Sequence, residues 1–222
     1  LALPLKLLGY HDWVVRIPVF LFTLGTLALT FVLARQRLGI VGAQGTVVSL
    51  ASMSLFMEVN HGAMIDNGLV FFVLLALTAF WRMTSSARGL VWPFLFYLAL
   101  GLTFLCKGAI GVLLILVVAG GFSLTHKSWH WLWSWRRTVF GLLIFSGIVG
   151  SWLLALWLKG GRHYYHVFFY VNHVQRFLGQ EGPTRAWHYY FPLVFAAIAP
   201  WLLILPAAWR EVWRQRKAGD PI

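Results

Sequence analysis

Residues 163–201 read HYYHVFFYVNHVQRFLGQEGPTRAWHYYFPLVFAAIAPW. Aromatic rings crowd the stretch, four histidines and two arginines are set among them, and it runs straight into an apolar span. A loop facing water has no need of so many rings, whereas Trp and Tyr settle at the headgroup level of a bilayer. Arginine adds a fork of donors that suits a phosphate. The stretch therefore reads as a loop lying on lipid and able to grip an anionic headgroup, and the chain around it as one embedded in a membrane.

Composition agrees. The 222 residues are 60% hydrophobic and 11% charged, with a mean hydropathy of +0.76. Soluble domains carry about 25% charged residues, so this chain cannot hide its apolar surface from water. The net charge of +12 does not point to nucleic acid, because the basic residues sit in short clusters between apolar spans, as in a membrane protein that orients itself by charge. No nucleic-acid partner is expected. The single cysteine, Cys106, excludes an internal disulfide.

Seven apolar spans can be drawn, at residues 14–34, 40–57, 67–81, 90–105, 109–124, 139–158 and 191–209. Each approaches the ~20 residues that cross a bilayer core. Period-2 alternation is absent, which rules against a barrel, and helices alone then satisfy their backbone in lipid. The expected fold is all-α, a polytopic transmembrane helical bundle with an aromatic loop on its outer face. The segments between spans alternate in charge. One set carries eleven cations (Arg35, Arg37, Arg82, Arg88, Lys127, Arg136, Arg137, Arg210, Arg214, Arg216, Lys217) against two acids. The other carries seven cations against four acids. The positive-inside rule puts the first set in the cytoplasm, with the C-terminus inside, Leu1 outside, and residues 159–190 forming a periplasmic loop. An outside start without a signal peptide predicts another span upstream. Residues 1–222 are thus expected to be one transmembrane domain, a fragment of a longer one. No repeat of fixed period is present. The alternating tryptophans of SWHWLWSW (128–135) read as a cytoplasmic aromatic belt.

The outer set concentrates the chemistry, with six of the eight histidines and four of the six acids. Glu58, His61 and Asp66 share the turn MEVNHGAMIDNG, and Lys107 sits in LCKGAIG at the same expected depth. Charges at helix ends in a membrane are costly unless paired or used. An Asp66–Lys107 ion pair tying two helix ends together is one reading; an acidic and cationic rim around a headgroup site is the other, and both can hold. Arg162, Arg176 and Arg185 can meet a phosphate. Arg176, flanked by aromatics, is the best preorganised of the three, its alternative role being an anchor in bulk lipid phosphates. His166 and His173 are candidate ligands for a divalent metal, with His163 three residues before His166. No C-x-x-C or H-E-x-x-H accompanies them, so interfacial or hydrogen-bonded histidines are the competing reading.

Four phrases carry a family resemblance. KLLGYHDWVVRIPVFLFTLGTLALTFVLARQRLG enters a span at Arg16; GAMIDNGLVFFVLLALTAFWR closes one with Trp81-Arg82; LALGLTFLCKGAIGVLL holds a Leu-x-Lys-Gly turn with Ala109 where proline is usual; FFYVNHVQRFLGQEGPTRAWHYYFPLVFAAIAPWLLILP carries an Arg-Phe, an aromatic run and Pro-Trp. In order and spacing they resemble the multi-spanning GT-C glycosyltransferases of the ArnT and protein O-mannosyltransferase type. The resemblance implies a sugar donor on a polyprenyl phosphate and a lipid, glycan or protein acceptor, lipid A among them. It implies transfer by inverting displacement at the outer face of a bacterial inner membrane. Arg176 is then the candidate for the donor phosphate, with Lys107 and Arg162 behind it, and His173 a residue that orients the loop or helps hold a metal. The family's catalytic aspartate is expected upstream of Leu1, which leaves the general base unnamed and this portion inactive alone. A transporter or flippase for lipid-linked substrates is the alternative, and would show repeats and helices broken at mid-membrane. A membrane scaffold without a ligand is a third reading.

Overall fold

A computed structural model describes residues 6, 9, 11–62, 64–84, 89–126, 135–175, 178 and 186–218. Every regular element among them is helical and none is a strand. The helices are α1 (Asp12–Ala51), α2 (Ser54–His61), α3 (Asp66–Thr84), α4 (Val91–Lys107), α5 (Ala109–His126), α6 (Trp135–Tyr165), α7 (Tyr190–Ile198) and α8 (Leu205–Ala218). A π-helical segment, His166–Gln175, follows α6, and short 3-10 turns occupy Trp187–Tyr189 and Trp201–Leu203. Four helical stretches, Trp13–Ala51, Asp66–Thr84, Ala109–His126 and Trp135–Asn172, are long and apolar enough to cross a membrane, and Val91–Lys107 is a shorter apolar helix. The fold is a polytopic helical membrane bundle. The chain divides into two compact units, Leu1–Leu29 with Met64–Thr184, and Thr30–Ala63 with Arg185–Ile222.

In the first unit α4 packs on α3, α5 and α6. Apolar helices in lipid gain little by hiding from the solvent around them, so close approach through small residues must hold them together. The sequence supplies those residues. Ala76, Ala79 and Ala99 are fully buried, and Phe80, Phe96, Leu100, Ile115 and Ala119 complete the core around them. Gly101 leaves room for Ile148, and Gly141 lies flat against the Tyr97 ring, where any Cβ would collide. Phe80 meets Phe96 and Phe122 at centroid distances of 6.2 and 5.8 Å. Outward-facing Leu113, Val117, Leu124, Leu143 and Leu158 are more than half exposed, as an acyl-chain environment allows. Hydroxyls within the apolar helices bond back to their own turn, Thr23 to the Val19 carbonyl and Thr78 to that of Leu74, at 2.8 and 2.7 Å.

Three expectations need correction. Residues 159–190 are not a loop throughout, for they are helical as far as Gln175. α6 breaks at Gly161, where φ is 54°, a left-handed value that glycine adopts without cost. The chain then folds back. In a straight helix residues 152 and 168 would stand about 24 Å apart, yet the Trp152 and Phe168 rings are 4.7 Å apart, and the Tyr165 hydroxyl donates to the Leu153 carbonyl at 3.1 Å. The seventh expected span is also not one helix. In the second unit α7 ends at Ile198, and Pro200, which has no N–H, divides it from the turn Trp201–Leu203. The second expected span is interrupted at Ser52–Met53. These two interruptions satisfy each other: Ser54 donates both its amide and its hydroxyl to the Ala199 carbonyl at 3.1 Å, and Trp201 Nε1 donates to Ser52 Oγ at 2.8 Å.

Gly141→Val should push Tyr97 out of its seat and cost about 1–3 kcal/mol, the usual effect of overpacking a tight contact. Thermal unfolding followed by size-exclusion profile should show a clear loss. Gly147→Val, where a Cβ meets open space, should leave the profile unchanged.

Candidate functional site

α3 and α4 form an antiparallel hairpin whose two ends carry different chemistry. At one end Asp66, the first residue of α3, meets Lys107, the last of α4, at 2.5 Å between Nζ and Oδ1. Each charge sits where its helix favours it, the acid at an N-terminus and the cation at a C-terminus. α4 stops at Gly108, whose φ of 66° and ψ of −150° suit glycine alone and whose amide donates to the Phe104 carbonyl at 2.7 Å. α5 begins at the very next residue, so one glycine turns the chain and fixes Lys107 at the rim. At the other end the Arg82 guanidinium lies 5.6 Å from the ring centroids of both Trp81 and Trp92.

One turn below Lys107, Phe104 forms an aromatic floor with Trp152 and Phe168, at centroid distances of 6.4 and 6.0 Å. The fold-back segment brings Phe168 there. On its other side Leu156, His163, Tyr164, Val167, Phe168 and Asn172 line a cleft of about 250 Å³. The lysine and aspartate side chains are 51% and 37% exposed, so solvent screens their attraction and the pair is worth no more than about 1 kcal/mol to stability. Lysine carries three donors, so Lys107 keeps donors for a further anionic oxygen. The arrangement can therefore hold an anionic group beside an apolar aromatic wall.

The structure unites Asp66 and Lys107, as pairing of charges at equal depth led one to expect. Among the described residues no other expected residue pairs with either of these side chains. Arg162 is exposed just past the Gly161 break, and among the described residues it has no carboxylate partner. Glu58 and His61 belong to α2 in the second unit, both exposed, with His61 Nδ1 2.8 Å from the Met57 carbonyl of its own helix. Arg176 and Arg185 lie outside the described residues, as do residues 128–134 of the tryptophan-rich stretch. The His166 ring packs on Tyr170 at 5.0 Å, the side chain of His173 is outside the described residues, and among those described no three His, Cys, Asp or Glu side chains gather to hold a metal. The aromatic floor and the His163–Asn172 cleft are additions that sequence reading missed. The signals for them were Trp152, lodged in mid-span away from any interface, and the Gly160-Gly161 pair before an unbroken run free of Gly and Pro from Arg162 to His166 and on to Gln175.

An apolar bundle in which one ion pair joins two helix ends defines the class as a multi-pass helical membrane protein, and its fold is that of ArnT. The crystal structure of ArnT from Cupriavidus metallidurans bound to undecaprenyl phosphate superimposes with a TM-score of 0.79 at 22% identity, covering 94% of this chain and 38% of that one. Its apo form gives 0.75 at 24% identity, with the same coverage. Residues 1–157 match the family model described as dolichyl-phosphate-mannose-protein mannosyltransferase, and the chain belongs to that family. It is also similar to undecaprenyl phosphate-alpha-4-amino-4-deoxy-L-arabinose arabinosyl transferases. That of Edwardsiella ictaluri is 31% identical over 225 residues, covering 96% of this chain and 40% of the relative. That of Pseudomonas aeruginosa is 31% identical over 233 residues, covering 100% and 41%. The chain spans about two-fifths of the length of these relatives.

Gly108→Ala should cost about 1–3 kcal/mol through its backbone conformation, seen as a lowered unfolding temperature. Reversing the ion pair, Asp66→Lys with Lys107→Asp, should recover part of what either single change loses in a double-mutant cycle. Additive losses would mean the two side chains do not interact in the folded protein.

Proposed function

We propose that the whole protein is a membrane glycosyltransferase that takes a sugar from a polyprenyl-phosphate donor and passes it to a hydroxyl of a lipid, glycan or protein acceptor. The donor proposed first is the one in the relatives' name, 4-amino-4-deoxy-L-arabinose on undecaprenyl phosphate, and lipid A is the acceptor we favour. The observation that carries the reading is the Lys107 rim: a lysine held at a helix end by a one-residue turn, above an aromatic floor, in a chain of this family. The proposed setting is a bacterial inner membrane, with the Lys107 end and the fold-back segment at the periplasmic face and the arginines of α8 in the cytoplasm, as the charge asymmetry of the sequence supports.

The chemistry is a direct displacement. The acceptor oxygen forms a bond to the anomeric carbon from the face opposite the leaving group. The bond from that carbon to the phosphate oxygen breaks, and its electron pair departs with the polyprenyl phosphate. The acceptor's proton passes to a base, a role we assign to no residue of this chain. The leaving phosphate needs no proton, only positive charge where negative charge develops. Arg176 is our candidate for that work, with Lys107 and Arg162 in support, and Asp66 holds Lys107 in place. Glu58 and His61 remain candidate polar residues of the outer face, on their place in the sequence. The breaks at Gly39 and Gly161 fall at the ends of expected spans, whereas a flippase calls for breaks midway. The interruptions at Ser52–Met53 and Pro200 are internal to expected spans, so release of free polyprenyl phosphate is what distinguishes the enzyme.

In the full-length protein reconstituted in vesicles, Arg176→Ala should lower transfer by roughly 10²- to 10³-fold, the usual loss on removing one stabilising donor. Arg176→Lys should recover little, because a point charge does not replace a bidentate fork. Transfer by the alanine variant at the wild-type rate would reduce Arg176 to a lipid anchor. Movement of donor across the bilayer with no free polyprenyl phosphate released would overturn the enzyme itself.

A further inference from the structure

The sequence places residues 205–209 at the tail of the seventh span and 210–217 in a cytoplasmic segment, yet α8 is one continuous helix whose residues suit a different environment. It reads LPAAWREVWRQRKA over Leu205–Ala218. Fourteen residues rise about 21 Å, too short for a hydrocarbon core of ~30 Å. At about 100° per residue, Leu205, Ala208, Trp209, Val212 and Trp213 share one side of the helix, while Ala207, Arg210, Glu211 and Arg214 take the other. The apolar side is open. Trp209 and Trp213 are 67% and 55% exposed, with ring centroids 6.3 Å apart. Leu205, Trp209 and Val212, with Pro206, Ala208 and Arg210, border an open hollow of about 600 Å³. On the polar side Arg214 is paired with Glu211 at 2.9 Å. In the last turn the sequence adds Lys217 at the edge of the polar side and Arg216 in line with Leu205 and Trp209, where the apolar side ends, giving four cations against one acid in this helix.

We propose that α8 is an interfacial helix whose partner is an anionic phospholipid surface. Its apolar side enters the boundary between headgroups and acyl chains, and its arginines meet lipid phosphates. Two half-exposed indoles on one side find at that boundary a place for ring and N–H alike. A short helix of low overall hydrophobicity with a basic polar side lies in the plane of the membrane rather than across it. The charge complementarity selects an anionic leaflet, since each cation near such a surface adds to binding while a zwitterionic one offers no net field. The proposal does not depend on the transfer reaction, and its test reads no sugar.

The full-length protein, with Cys106 and any other cysteine replaced by serine, would carry a nitroxide label at Val212→Cys on the apolar side or Ala207→Cys on the polar side. It would be reconstituted in phosphatidylcholine vesicles with or without phosphatidylglycerol. In the anionic vesicles the label at 212 should be several-fold less accessible to a water-soluble nickel chelate, and more accessible to oxygen, than the label at 207. Arg210→Gln should lower the ratio of docked to undocked helix roughly fivefold, the worth of one cation at an anionic surface. Equal nickel access at both positions would overturn the proposal. So would shielding of both labels from nickel and oxygen together, which would mean that protein covers α8. A measurement without labels stands beside it: amide exchange over 205–218 in the wild-type protein should slow in anionic vesicles, and equal exchange in the two lipids would also sink the idea.

Discussion

Lipid gives one apolar helix no reason to prefer another helix to itself, so the bundle depends on how closely α4 can be approached. Ala99 and Gly101 on α4, Ala76 and Ala79 on α3, and Gly141 on α6 remove the side-chain bulk that would hold the backbones apart. Dispersion contacts then accumulate over short distances, and the rings of Phe80, Phe96 and Tyr97 fill what the small residues leave. Everything at the rim inherits its position from this seam. Lys107 reaches Asp66 because α3 and α4 are in register along it, and Phe104 meets Trp152 because α6 runs parallel to α4 with Gly141 against Tyr97 and Ile148 against Gly101.

The rim gains its character from three departures from ideal helix. Gly108 turns the chain within one residue, Gly161 reverses it, and the π-helical segment His166–Gln175 carries aromatic residues back down to the floor below Lys107. None of these alone is a site. Together they set an exposed cation beside an apolar wall, which is the arrangement that a lipid carrying a charged head requires. The membership of the chain in a family named for a lipid-phosphate sugar donor gives that arrangement its proposed use.

Much of this was legible in the sequence. Apolar runs of sufficient length fixed a helical membrane protein, and the equal depth of MEVNHGAMIDNG and LCKGAIG anticipated that Asp66 would find Lys107. The fold-back is not legible there, because aromatic density is also the mark of an interfacial loop. Yet the same rings can line a helix that packs on its own predecessor, and ring content does not separate the two. Only Gly160-Gly161 marked the reversal. The seventh span failed for a local reason. Hydropathy averages over Pro200 and Pro206 without feeling that each lacks an N–H and restrains the residue before it. The pairing of Ser54 with the Ala199 carbonyl was beyond reach, since the partners stand 145 residues apart and nothing local foretells the meeting. Arg176, the residue singled out most strongly by resemblance, lies outside the described residues.

The α3–α4 hairpin is fastened differently at its two ends, and the difference has a consequence for how it responds to its surroundings. The Asp66–Lys107 end is an exposed pair of opposite charges, which mobile ions weaken over a Debye length of about 8–10 Å at ordinary ionic strength. The Arg82 end rests on the faces of Trp81 and Trp92, a short-range attraction with the guanidinium partly withdrawn from water. Dissolved salt therefore acts on one fastening and spares the other. The packed seam between α3 and α4 is untouched by this, so what salt changes is how firmly Lys107 is tethered to Asp66.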